Sequence, residues 1–169
     1  KSTLMNFPLG GAFNSRVNLN LREDKGWTYG ARSNFSGNEY TGSFTFSSGI
    51  KSAATDSALV ELVKEFKNYS ATGITPEELS FMKNAIGQSD ARKYETGFQK
   101  AGFISNILRY DLSSDYVDKQ NKILNSISKS EIDGLTKKWI NMDIMNMVFA
   151  GDMAKIGPTI AKLGYKVVE

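Results

Sequence analysis

The chain has 169 residues, 40% of them hydrophobic and 23% charged, with 21 lysines and arginines against 18 acids and a net charge of +3. Such a composition belongs to ordinary globular domains, and at this length one domain buries roughly 70% of the surface its unfolded form exposes. The sequence contains neither cysteine nor histidine, which excludes disulfides, thiol nucleophiles, a Ser-His-Asp triad and a His-ligated metal centre built from these residues alone. No basic run reaches five residues, so the excess of three positive charges is weak evidence for nucleic acid, and no apolar run is long enough to span a bilayer.

In chain order, Lys1 to Phe7 reads as the last turns of a helix already under way, so the chain is expected to be a piece of something longer. Pro8-Leu9-Gly10-Gly11 reads as a turn, and Asn14 or Ser15 can cap a helix running to about Lys25, with Gly26 as its left-handed stop. From Thr28 to Ser36 and from Tyr40 to Ser48 the pattern alternates, placing Tyr29, Ala31, Ser33 and Phe35, then Tyr40, Phe44 and Phe46, on one face each. Gly37-Asn38 reads as the hairpin turn.

An amphipathic helix follows, with Leu59, Leu62, Val63, Phe66 and Tyr69 on its apolar face and Thr72-Gly73 at its end. Thr75-Pro76-Glu77-Glu78 then starts a second helix, with a threonine cap, proline at the first helical position and glutamate three residues after the cap. Its buried face is expected to carry Leu79, Met82, Ala85 and Ile86. Helical patterns also cover about Thr96 to Tyr110, Asp115 to Ile127 and Ser130 to Ile140, the last capped by Ser130 with Asp133. Ile144 to Ala150 reads as a strand, Asp152 as the cap of a short helix to Leu163, and Tyr165 to Val168 as extended. The order predicts an α+β fold: a mixed, mainly antiparallel sheet joining the hairpin to Ile144–Ala150, with helices packed on one face.

The most informative stretch is Leu9-Gly10-Gly11-Ala12-Phe13-Asn14-Ser15-Arg16 followed by Leu21-Arg22-Glu23-Asp24-Lys25-Gly26-Trp27-Thr28-Tyr29-Gly30. Arg22 falls in the last helical turn and Gly26 reverses the chain, so the strand from Thr28 can bring Tyr29 back beside the arginine. A guanidinium and a phenol hydroxyl aimed into one space suit a substrate carbonyl or a developing oxyanion, because neither has to lose a proton first. The competing reading is structural: an arginine near a helix C-terminus favours the macrodipole, and a strand tyrosine is commonly packing.

This stretch resembles the C-terminal homology domain of the pitrilysin/insulinase zinc peptidases, with its Gly-Gly turn, short helix and Arg-x-x-x-Gly-x-x-Tyr element. Gly73-Ile74-Thr75-Pro76-Glu77-Glu78-Leu79 resembles the family's later helix start, and Gly151-Asp152 its closing Gly-Asp. The resemblance runs over residues 1–169 as a single domain lacking its opening strand. It implies the substrate-binding, transition-state-stabilising half of a zinc endopeptidase, in which Arg22 and Tyr29 reach the peptide substrate. The zinc would lie in a partner His-x-x-Glu-His domain or subunit, none would be held by this chain, and the isolated piece would be inactive. A missing opening strand would expose a sheet edge through which two copies could pair as a homodimer. Bacterial relatives point to the periplasm or cell envelope. The alternative is a catalytically silent structural or peptide-binding homologue on the same fold.

Other candidates have plainer explanations. The Glu77-Glu78 pair is explained by the capping box, Trp27 by a core or hinge position, and Met142, Met145, Met147 and Met153 by adaptable packing. Tyr40, Phe44 and Phe46 could stack RNA bases, but without a basic fringe they read as a helix-covered core face.

Overall fold

Helix α1, Ser2–Asn6, runs on into a π-helical turn at Phe7–Gly11. The computed structural model describes residues 1–90 and 95–165. The expected Pro8–Gly11 turn is thus the widened end of a helix, which tolerates Pro8 in its first turn. Gly10 is required there for close approach: a Cβ would stand 2.6 Å from the backbone nitrogen of Ser33. Ser15 precedes α2, Arg16–Asn18, which continues as a second π-helical stretch, Leu19–Asp24. Gly26, at φ +62°, ends it by donating to the Arg22 carbonyl at 3.0 Å, while Trp27 donates to Leu21 at 2.9 Å.

Strands β1, Thr28–Gly37, and β2, Gly42–Ile50, form an antiparallel hairpin. Gly37 pairs with Gly42, so the turn is a four-residue loop over 38–41 in place of the expected Gly37-Asn38 pair. Asn38 accepts the backbone N–H groups of Tyr40 and Thr41 at 2.8 and 2.9 Å, an Asx turn that leaves Tyr40 at the exposed tip and off the strand. The inner face is the expected helix-covered one: Phe44 and Phe46 lie 5.7 and 5.8 Å, centroid to centroid, from Phe66. Arg32, Asn34, Thr45 and Ser47 form the exposed outer face.

Helix α3, Thr55–Thr72, supplies Phe66 and Tyr69 to the core and ends at Gly73, whose φ of +71° admits no ordinary side chain. A Cβ on Gly73 would also collide with the Asp133 carboxylate. Helix α4, Pro76–Asp90, starts as expected: Glu78 Oε2 accepts from the Thr75 N–H at 2.7 Å, and Thr75 Oγ1 accepts from the Glu78 N–H at 3.2 Å. The same carboxylate is gripped from outside by Arg16, whose Nε and Nη2 donate at 2.6 and 2.7 Å. Burial penalises the Arg16 charge, but the Glu78 carboxylate outweighs it and holds the guanidinium above its ordinary pKa.

Helices α5, Gly97–Arg109, α6, Tyr116–Ser126, and α7, Lys129–Trp139, complete the helical block. The cap of α7 is Ser128 with Glu131, two residues before the expected Ser130 and Asp133. Asp133 is occupied otherwise, accepting from the Ile74 N–H at 3.0 Å and from Lys129 Nζ at 2.6 Å, which ties α7 to the turn between α3 and α4. A short 3₁₀ turn, Met142–Ile144, is followed by an extended stretch that pairs with no strand among the described residues. The expected sheet partnership of Ile144–Ala150 with the hairpin is therefore not formed. The stretch keeps its period of two, with Met145, Met147 and Phe149 half-buried and Val148 exposed. Asp152 caps α8, Met153–Ala161, as expected. Of the last predicted extended segment, residues 166–168 lie outside the described residues. The fold is α+β, with helices against one face of an antiparallel hairpin.

Tyr69 is fully buried beneath this block, its hydroxyl donating to the Met5 carbonyl at 2.5 Å. Burial pushes the phenol well above its ordinary pKa, outweighing the nearby Arg16 charge. The unfolded chain ionises this residue above pH ~10 while the folded chain keeps its proton, so folding stability falls there by about 1.4 kcal/mol per pH unit. Tyr69→Phe is expected to be less stable at pH 8 yet to lose stability less steeply above pH ~10. Urea titrations of both proteins across that range check it; parallel curves would refute it.

Candidate functional site

The helix end at Asp24, the glycine reversal and the first residues of β1 meet the last residues of β2 around one open cleft of about 540 Å³. Arg22 and Glu23 line it from the helix, Trp27, Thr28 and Tyr29 from β1, and Gly49, Ile50 and Lys51 from β2 and its exit. The Lys51 N–H donates to the Trp27 carbonyl at 2.9 Å, fastening the two chain ends that form this wall.

Both residues expected from the sequence, Arg22 and Tyr29, stand on this cleft, but they reach it differently. Arg22 is one-third exposed and has partners: its guanidinium lies 4.5 Å over the Phe13 ring, and Nη1 is 3.3 Å from Glu23 Oε1. The contact with Phe13 orients the planar group while its outer N–H donors remain available to a ligand. Tyr29 is 96% exposed. The alternation that would put it on the inner face with Ala31 and Ser33 is broken by a β-bulge. Thr28 pairs with Ile50 and Ala31 with Ser48, so Tyr29 and Gly30 together oppose Gly49. The extra residue switches the parity of the strand and aims Tyr29 outward.

The bulge is held by hydroxyls that sequence reasoning missed. Thr28 Oγ1 accepts from the Gly30 N–H at 3.0 Å and donates to the Gly30 carbonyl at 2.9 Å. The Ser48 hydroxyl stands 2.9 Å from both Thr28 Oγ1 and the Gly30 carbonyl. Thr28 itself is buried. Phe13 and Lys51 were also missed. Only the glycine after Tyr29 hints at a bulge in the sequence, and nothing local marks Phe13 or Lys51 as neighbours of Arg22.

A catalytic zinc ion does not fit these residues. The sequence supplies no imidazole or thiolate, and the described residues hold no cluster of three or more carboxylates that could replace them. No helix among them is long and apolar enough to cross a membrane.

An α+β domain with Arg22 and Tyr29 on one cleft, and no metal-ligand set among the described residues, is thus what the geometry defines. The family follows: residues 1–86 match the model of the peptidase M16 inactive domain, and the chain belongs to that family. Among solved structures it is similar to a peptidase M16 inactive domain from Pseudomonas fluorescens, at 23% identity and a TM-score of 0.76, covering 83% of this chain and 34% of that one. It is also similar to a structure from Bordetella pertussis assigned as a zinc protease, at 13% identity and a TM-score of 0.64, covering 83% of this chain and 78% of that one. The periplasmic protease PqqL of Escherichia coli matches at 18% identity and a TM-score of 0.65, covering 81% of this chain and 15% of that one. At these identities the likeness establishes the fold. The chain spans about a third of the Pseudomonas structure. No curated protein sequence matches it significantly.

If the Thr28 hydroxyl holds the bulge, Thr28→Val exposes the Gly30 amide, and its hydrogen exchange is expected to quicken about tenfold, while Thr28→Ser stays near wild type. Unchanged Gly30 exchange in the valine variant would show that the strand bulges without this bond.

Proposed function

We propose that this chain is the peptide-clamping half of a zinc-dependent endopeptidase, with Arg22 and Tyr29 holding the substrate carbonyl and stabilising its developing negative charge. The observation that carries the reading is the convergence on one cleft of a guanidinium from a helix end and a phenol from a strand bulge, neither needing deprotonation. Tyr29 finds no intramolecular partner for its hydroxyl among the described residues, so that donor is spare. The zinc, which this chain cannot hold, would belong to a His-x-x-Glu-His half on the same polypeptide or on another subunit. When present, that half supplies the Lewis-acid chemistry. The periplasmic setting of the Escherichia coli neighbour supports a cell-envelope location.

One observation favours the alternative, a catalytically silent structural or peptide-binding homologue. Arg22 is already engaged by Glu23 and Phe13, as an arginine with a purely structural role would be. Kinetics separate the two readings. In the complete protein, with the zinc-bearing half present, Tyr29→Phe is expected to lower kcat by about 10² to 10³ at an unchanged melting temperature. Arg22→Ala is expected also to raise KM, because it removes ground-state binding of the carbonyl. Cleavage rates that stay at the wild-type level in both variants would assign the pair to structure.

A further inference from the structure

The charges on the cleft do not balance. Arg22 and Glu23 form a pair at 3.3 Å, and Asp24, next along the chain, is taken by Lys25. Lys51 is left. It is exposed where β2 leaves the cleft and makes no side-chain hydrogen bond or ion pair among the described residues. Its backbone is fixed on both sides, the N–H donating to Trp27 and the carbonyl accepting from Ala54, each at 2.9 Å. A flexible four-carbon stem thus starts from a rigid point at the cleft and carries an uncompensated ammonium.

Around it the wall offers little competition. Gly49 lies beside Ile50 and Lys51, and a Cβ there would meet nothing within 4 Å, so a ligand has room to lie against the strand end. A ligand whose carbonyl is held by Arg22 and Tyr29 shares the cleft with Lys51. A carboxylate on that ligand would complete the balance, whereas a cationic group would add a second unmatched positive charge.

We propose that Lys51 makes this cleft selective for peptides bearing a carboxylate next to the carbonyl held by Arg22 and Tyr29. The inference rests on the clamping reading above and deepens it by naming the substrate class. The carboxylate can come from an aspartate or glutamate side chain or from a peptide C-terminus. In either case the ammonium acts as a compact point charge on a short stem, so charge is selected more strongly than shape. The pair forms at an open surface, so discrimination is a few-fold and weakens with salt.

The test is fluorescence anisotropy of labelled peptides binding the complete protein. Peptides acetylated at the N-terminus and amidated at the C-terminus, differing only as Glu against Gln, read the side-chain source. The Gln peptide as free acid against amide reads the terminal source. Wild type is expected to favour the carboxylate in at least one arm by about threefold to fivefold at low salt. Lys51→Gln should remove that preference, and Lys51→Glu should reverse it toward a Lys-bearing peptide. A preference that is absent in wild type, or equal in wild type and Lys51→Gln, overturns the proposal. If that result comes with weaker binding of every peptide by Arg22→Ala and Tyr29→Phe, the clamp stands and only the selectivity fails. If those two variants bind all peptides like wild type, or if wild type binds none, the clamping reading fails as well.

Discussion

The position of β1 depends on two buried asparagines. Asn6 donates to the Ser33 carbonyl at 2.7 Å and accepts from the Ser33 hydroxyl at 2.5 Å, while Asn18 accepts from the Ala31 N–H at 3.0 Å and donates to the Phe13 carbonyl at 2.8 Å. The Ala31 N–H and Ser33 carbonyl lie on the strand edge away from β2, where no strand among the described residues pairs with them. An unpaired buried amide or carbonyl costs about 1–3 kcal/mol, so the edge can be buried only if side chains replace the missing ladder. Asparagine has the donor and acceptor of a peptide group and can do this from a helix. Gly10 lets the helix come near enough, since any side chain there would strike Ser33. With β1 fixed to α1 and α2, the helix end carrying Arg22 and the bulge carrying Tyr29 have one relative placement.

What was legible in the sequence is what local chemistry decides. Thr75, Pro76 and Glu78 make a capping box from adjacent residues, Gly26 and Gly73 sit where only positive φ ends a helix, and Phe44 and Phe46 alternate because the hairpin has one dry face. What was not legible is decided across the chain. Ser128 and Ser130 are both competent caps followed by an acid at the third position. The choice falls to Ser128 because Asp133 is needed by Ile74, 59 residues away. Ile144–Ala150 has the pattern of a strand, but pattern specifies a face and not a partner, and no described strand lies alongside to accept its hydrogen bonds. Arg22 and Tyr29, singled out by the family resemblance together with their spacing, both line the cleft, whereas the bulge that aims Tyr29 arises from a register shift no single residue announces.

Glu78 shows how one side chain can serve both levels. Its carboxylate closes the capping box of α4 with Thr75 and also receives the Arg16 fork, while Arg16 donates to the Gly73 carbonyl at 3.0 Å and covers the Tyr69 ring at 4.9 Å. The guanidinium thereby joins α2 to the turn between α3 and α4. Because the pair is half-buried and bidentate, it is stronger than an exposed ion pair and more costly to break on one side than to replace as a whole. The contrast with Arg22, only six residues on, is informative. Arg16 has its donors committed to a fixed carboxylate and carbonyl; Arg22 has a ring face and a single 3.3 Å contact.

That contrast bears on which arginine can work on a ligand. An arginine held like Arg16 would have to break charge-assisted bonds worth about 1.5–3 kcal/mol each before meeting a substrate. One held like Arg22 gives up a surface ion pair of about 0–1 kcal/mol and can keep its stacking on Phe13 while its outer N–H groups engage a carbonyl. The partners of Arg22 therefore keep it oriented without using up its capacity, and the same holds for Tyr29, whose backbone is fixed by the Thr28 and Ser48 hydroxyls while its own hydroxyl stays unspent. In both cases the contacts hold a part of the residue other than its outermost donors. The core pays no penalty for the exposed tyrosine, since the bulge returns Ala31 and Ser33 to the buried face immediately after it.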